Sequence, residues 1–152
     1  SIWVIWRSFL KPKKEEENQR SNFPYCFACG NLNPIGLHLE FTDKGHYVEA
    51  LFLPDIFHQG YPGIIHGGIV TTLLDEAMAY ALEYKNYRGV TARLHVKFIK
   101  PLRPEERYRI SGYLDRVRGK VAKTHSEILD EMGNTIAKAS GIFILNDKIG
   151  DD

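Results

Sequence analysis

Apolar residues recur at helical spacing in one stretch of the chain and at strand spacing along much of the rest. Ile69, Val70, Leu73, Leu74, Ala77, Met78, Ala81 and Leu82 keep the i, i+3, i+4 rhythm that marks one face of a helix. The rhythm predicts a helix from about Gly68 to about Tyr84, ~25 Å long, stopped by the turn formers between Asn86 and Gly89. Ahead of it, Leu37, Leu39 and Phe41 alternate with polar residues, Asp43-Lys44-Gly45 offers a turn, and Tyr47 to Leu53 can return as the second strand of a hairpin. Pro54 to Gly68 reads as a loop rich in Gly and Pro. Behind the helix come four strand-like stretches: Thr91 to Lys100, Glu106 to Val117, Val121 to Leu129 and Thr135 to Leu145. Arg118-Gly119-Lys120 and Met132-Gly133-Asn134 supply the turns of an antiparallel meander.

Two strands, one long apolar helix and four more strands predict an α+β protein in which an antiparallel sheet wraps a single helix, the element order of the hotdog architecture. The apolar stripe covers most of the helix circumference, so a sheet on one side leaves part of it for a second subunit. A homodimer is expected, alone or as a dimer of dimers. Lys11 to Asn22 lack apolar periodicity and read as a solvated linker. The expected organisation is therefore an N-terminal appendage and linker over 1–22, a folded domain over 23–147 and a short tail over 148–152.

Composition narrows the function classes. The chain has 152 residues, 43% of them hydrophobic, enough for one core and too few for two ordinary domains. Its 20 Lys plus Arg balance 19 Asp plus Glu for a net charge of +1, which gives no global attraction for nucleic acid or an anionic membrane. The apolar run Ile2 to Leu10, broken by Arg7, is too short to span a bilayer and lacks a signal-peptide layout. A soluble cytoplasmic protein is the expectation. Cys26 and Cys29 are too close in the chain for a useful disulfide, and Gly30, Asn31, Asn33, Pro34 and Gly36 after them give loop chemistry rather than the helix of a redox pair. His38 is the nearest further ligand in the sequence, short of a zinc tetrad. Reduced thiols in an ordered loop, with no metal, are expected.

The chemistry concentrates at the start of the helix. In His66-Gly67-Gly68, two glycines allow close backbone approach, and their N–H groups lie at the positive end of the helix dipole, where they can bind a carbonyl oxygen that becomes an oxyanion. The same triplet also serves as a plain helix-start turn with His66 as its cap. Asp75 falls on the flank of the apolar stripe and Glu76 roughly opposite it. A carboxylate there can act as base on water or attack a thioester, or else lean to solvent or accept a bond from Thr71. Gly67 and Asp75 lie about 12 Å apart along the helix, so one substrate carbonyl cannot touch both within a chain. If both act together, Gly67 of one subunit faces Asp75 of another. No His-Glu-x-x-His and no Gly-x-Ser-x-Gly occurs, which argues against zinc-protease and serine-hydrolase chemistry.

The segments CFACGNLNPIGLHLEF, HQGYPGIIHGGIVTTLLDEAMAYA, TARLHVKFIKPL and RVRGKVAKTHSEILDEMGNTIAKA, within Cys26 to Leu145, resemble the hotdog thioesterases of the phenylacetyl-CoA and 4-hydroxybenzoyl-CoA thioesterase-like superfamily. The resemblance implies hydrolysis of an acyl-CoA, with coenzyme A as part of the substrate and no separate cofactor. It implies Asp75 as base or nucleophile, Gly67 as the group that polarises the thioester carbonyl, and Thr91 as a residue that positions water, with His66 and Gly68 completing the turn. Several relatives carry Asn six residues before the His of the triplet. Gly60 stands there in this chain, and Gln59 is the candidate substitute. The resemblance also implies that coenzyme A lies along Lys100 to Arg103 and along Arg118, Gly119 and Lys120. Two alternatives remain on the sequence: a hotdog dehydratase or hydratase using His58 and Glu76, whose spacing is too long for that pattern, and a non-catalytic acyl-CoA-binding protein.

Overall fold

The computed structural model describes residues 23–146; the expectations for 1–22 and for the C-terminal tail fall outside them. The chain forms β1 (Thr42–Asp43), β2 (Val48–Phe52), a short 3-10 turn (Ile56–His58), α1 (Gly67–Glu83), β3 (Gly89–Phe98), β4 (Tyr108–Arg118), β5 (Val121–Leu129) and β6 (Thr135–Leu145). The strands make one antiparallel sheet in the order β1-β2-β4-β5-β6-β3. The sheet curls around α1 in the hotdog fold.

Val70, Leu73, Leu74, Ala77, Met78, Ala81 and Leu82 of α1 are all buried, against Ile110, Ala122, Ile128, Ala137, Ala139 and Phe143 from the inner face of the sheet. Two glycines set how closely they meet. A Cβ on Gly112 of β4 would lie 2.0 Å from the Ala77 carbonyl oxygen, and one on Gly141 of β6 would lie 2.9 Å from Met78 Sδ. The buried inner-face hydroxyls are satisfied locally: Ser126 Oγ donates to the Leu74 carbonyl at 2.9 Å and Thr124 Oγ1 to the Gly141 carbonyl at 3.1 Å. The helix closes at Asn86 in the left-handed region (φ 62°), with the Tyr87 N–H returning to the Leu82 carbonyl at 3.0 Å, a capping pattern that Asn accepts readily.

The first expected strand is shorter than its alternation suggests. Leu37, Leu39 and Phe41 are buried as the pattern requires, yet only Thr42 and Asp43 pair with β2. His38 takes a positive φ of 53°. The N–H groups of Leu37 and Leu39 donate to the Phe27 and Ala28 carbonyls at 2.8 and 2.9 Å. Backbone groups spent on the preceding loop cannot serve a sheet ladder.

The loop before α1 is held by a reciprocal cap. Asp55 Oδ1 accepts from the Phe57 N–H at 2.8 Å, while His58 Nδ1 accepts from the Asp55 N–H at 3.0 Å. An imidazole nitrogen that accepts must be unprotonated. Burial, only partly opposed by the Asp55 charge, holds the His58 pKa below its ordinary value.

Two expectations follow. Gly112→Ala should cost about 3 kcal/mol, at the upper end for overpacking because backbone rather than side chain stands in the way, while Gly141→Ala, which meets the flexible Met78, should cost less; chemical denaturation of both variants measures this. Because the folded His58 pKa is depressed, its cap contributes fully above the ordinary histidine value of about 6.5 and is lost as pH falls through the folded value. A melting-temperature profile against pH should fall in that window for the parent and flatten there for His58→Gln.

Candidate active site

His66 is the N-cap of α1, with φ −55° and ψ 132°, and its Nδ1 accepts the Gly68 N–H at 2.8 Å. The next backbone N–H groups, of Ile69 and Val70, donate to the His66 carbonyl. Among the described residues the Gly67 N–H has no partner. Of the two glycine amides, it is the one left open at the positive end of the helix. A Cβ on Gly67 would meet only the Phe98 ring, at 3.7 Å, so the amide opens beside the last residue of β3.

Asp75 sits two turns further along α1, and its Oδ1 accepts from Thr91 Oγ1 at 2.7 Å. Thr71, the alternative partner, donates instead to the Gly67 carbonyl at 2.8 Å. Thr91 owes its position to an irregularity. Leu94 and Val96 are half-buried toward the helix and pair with Gly141 and Ala139, so in a regular strand the even-numbered residues of β3 face inward. Between Thr91 and Arg93 the register slips by one, with Thr91 opposite buried Phe143 and Arg93 opposite Ile142. The extra residue, Ala92, is a β-bulge that turns the Thr91 hydroxyl to the inner face, toward Asp75.

The remaining site residues fall into two groups. Near the helix start, the Gln59 side-chain oxygen accepts from the Gly63 N–H at 2.9 Å, so it fastens its own loop. Arg103 Nη1 reaches the Gly63 carbonyl at 3.4 Å, and the Arg103 N–H donates to Tyr108 Oη at 2.9 Å. The Lys100 N–H donates to the Ile136 carbonyl at 3.0 Å. Arg118, Gly119 and Lys120 form the β4–β5 turn, with Gly119 at φ 58°. The Lys120 carbonyl accepts from Leu145 N, whose residue pairs with Gly89. Lys100 and Arg103 thus lie beyond the Phe98 end of β3 and the Arg118–Lys120 turn lies at its Gly89 end, about 30 Å apart along the strand. One chain brings together Asp75 with Thr91 and Gly67 with Phe98, and does not bring either cation group to the other.

Glu76 lies off the apolar stripe as its helical position requires, but that face is covered. It does not project into solvent: the N-terminal loop folds over it, Cys26 Sγ donates to Glu76 Oε1 at 3.8 Å, and burial pushes its carboxyl pKa up from the ordinary value. The helical wheel located Glu76 correctly relative to Asp75, but the partner that covers it comes from 50 residues away. His58 is engaged with Asp55 and packs at a tilt against Phe52, ring centroids 5.4 Å apart. Neither residue is presented as a dehydratase pair requires.

Residues 62–137 match the Thioesterase superfamily. An uncharacterized protein of Schizosaccharomyces pombe is 33% identical over 117 residues, which cover 73% of this chain and 66% of that protein. The acyl-coenzyme A thioesterase THEM4 of Bos taurus is 27% identical over 140 residues, 90% of this chain and 57% of the relative. The chain thus spans about two thirds of the first of these relatives and little more than half of the second. Among solved structures, the thioesterase superfamily protein RHA08564 superposes with a TM-score of 0.73 at 25% identity, covering 77% of this chain and 61% of that one. A hypothetical thioesterase of Streptococcus pneumoniae, solved with coenzyme A, shares the fold at a TM-score of 0.69 and 18% identity over 74% of this chain and 88% of its own. With half of its length matched by the family and its fold in agreement, the chain belongs to the thioesterase superfamily.

Proposed function

We propose that the protein is an acyl-CoA thioesterase that works as a homodimer with two shared sites. The observation that carries this is the pairing of Asp75 with the Thr91 hydroxyl on the inner face of the sheet, together with an open Gly67 amide that lies too far along α1 to serve the same carbonyl. β3 is an edge strand of ten residues, most of them exposed, and an edge of that length invites a partner strand. Antiparallel pairing of β3 with its copy about its middle sets Thr91 opposite the 95–97 stretch, next to Phe98 and so next to the Gly67 amide of the second subunit. The same symmetry carries the Arg118–Lys120 turn of one subunit to the Lys100–Arg103 end of the other, where cations from both suit the phosphates of coenzyme A.

In the reaction, Asp75 takes a proton from water held beside it, and the water oxygen adds to the thioester carbonyl carbon. The oxygen of that carbonyl gains negative charge against the Gly67 N–H. Collapse breaks the C–S bond, and the departing thiolate takes the proton from the Asp75 carboxyl, giving the free acid and the thiol of coenzyme A. Thr91 holds one carboxylate oxygen and so leaves the other for water. Support comes from the bovine relative's acyl-CoA thioesterase name. The Streptococcus pneumoniae protein has also been solved with a single aspartate or a single threonine replaced by alanine, two positions with the same spacing as Asp75 and Thr91, 16 residues. A reducing compartment such as the cytoplasm suits the two free thiols.

Thiol release from a panel of acyl-CoAs is the primary assay. Asp75→Asn should lower kcat by about 10²- to 10⁴-fold, and near-parent thiol release would overturn its role. Gly67→Pro removes the amide alone, since His66 already has the extended backbone a following proline requires and proline is accepted at the first helical position; a loss of about 10²- to 10³-fold is expected. Equal mixtures of refolded Asp75→Asn and Gly67→Pro chains should regain about a quarter of parent activity through heterodimers with one intact site, whereas no recovery would refute shared sites. Thr91→Val should lower kcat about tenfold with little change in KM, as expected for losing one hydrogen bond to a charged group.

A further inference from the structure

The fold brings together a second group of reactive side chains, on the opposite flank of α1 from the Thr91–Asp75 pair. Cys26 is half-buried, Cys29 is buried, and both thiols lie with a Glu76 carboxylate oxygen within 4.8 Å of one another. A tetrahedral zinc ion with metal–sulfur bonds of about 2.3 Å and metal–oxygen bonds of about 2.0 Å spaces its sulfur and oxygen ligands roughly 3.5 to 3.8 Å apart. The Cys26 Sγ to Glu76 Oε1 distance is 3.8 Å. These atoms need only small adjustments to meet one ion.

The loop is built to hold that spacing. The Gly30 N–H donates to the Cys26 carbonyl at 2.8 Å and the Leu32 N–H to the Pro24 carbonyl at 2.9 Å. A Cβ on Gly30 would lie 2.5 Å from both Cys26 N and the Pro24 oxygen, so only glycine lets the chain turn back over the first cysteine. The two residues between the cysteines are fastened by the Leu37 and Leu39 amides. Tyr80, one turn beyond Glu76, is stacked on Phe41 with ring centroids 4.7 Å apart, which fixes its phenol near the Cys29 thiol, whose pKa it influences.

Any ion here must displace protons that the site holds tightly. Burial raises the pKa of the Cys29 thiol, the Glu76 carboxyl and the Tyr80 phenol together, and the charges that act on Glu76 are the carboxylates of Asp75 and Glu83. Among the described residues no cation bonds Glu76, while Glu83 is paired with Arg88 at 2.8 Å, and a buried acid so placed becomes attractive once a divalent ion enters.

We propose that Cys26, Cys29 and Glu76 bind a thiophilic divalent cation, zinc in the cell, which ties the N-terminal loop to the middle of α1. The ion would displace the protons of two thiols and one carboxyl, with water as its fourth ligand on the open side of Cys26. Its anchor on α1 is the residue next to Asp75, so the site would steady the catalytic turn without touching substrate.

The full chain, expressed in zinc-supplemented medium and purified under reducing, chelator-free conditions, should carry about one zinc per chain by elemental mass spectrometry. The Cys26→Ser/Cys29→Ser double variant should carry none, and Glu76→Gln should weaken zinc retention about tenfold or more in competition with a chromogenic chelator. Cobalt added to the metal-free parent should give a thiolate-to-cobalt charge-transfer band. That titration decides the matter even if the double variant misfolds. A parent chain with no metal above background and no cobalt band overturns the proposal, as does zinc content unchanged in the double variant. Formation of a Cys26–Cys29 disulfide in air despite excess zinc also overturns it.

Discussion

The packing of α1 against the sheet is the constraint on which the rest depends. Gly112 lets the sheet come so near that any side chain there would strike the helix backbone at Ala77. With the helix held at that distance, every position along it faces a definite strand: Gly67 meets Phe98, Asp75 meets Thr91, and Leu74 receives the Ser126 hydroxyl. Burial of the apolar stripe supplies most of the driving force, and the glycines convert it into a fixed registry. A helix standing an ångström or two farther out would still be buried but would no longer present its carboxylate to a strand hydroxyl.

The same rigidity divides labour along the helix. One end offers an open amide and the positive pole of the helix dipole; its middle carries two adjacent carboxylates that the surroundings treat in opposite ways. Asp75 accepts from a hydroxyl at the rim of the sheet, whereas Glu76 is folded beneath a loop among thiols. Adjacent helical residues point about 100° apart, and that angle is enough to place one carboxylate toward substrate and the other toward the N-terminal segment.

Much of this was legible in the sequence. The seven buried helix positions all belong to the apolar rhythm, β5 and β6 begin and end where their alternation does, and the separation of Gly67 from Asp75 follows from helix rise alone. Elsewhere local pattern was overruled by distant chain. Leu37 to Phe41 alternate as a strand should, yet their amides serve the Cys26 loop. Glu76 looks solvated on a helical wheel because the wheel cannot show a loop arriving from 50 residues upstream. His66 illustrates the opposite case, a local cap visible in the motif itself, where an imidazole two residues before an amide can close back on it.

The bulge at Ala92 has a consequence for comparing proteins of this architecture. Thr91 reaches the inner face because one extra residue resets the alternation of β3. A strand lacking that residue would need its hydroxyl on a different parity to meet the same carboxylate. The interval from carboxylate to hydroxyl along the chain is therefore a property of strand geometry, and a search that fixes it would pass over proteins with equivalent chemistry and a straight strand. Equivalence between two such chains is better judged by which face of the sheet a hydroxyl occupies than by its distance in sequence.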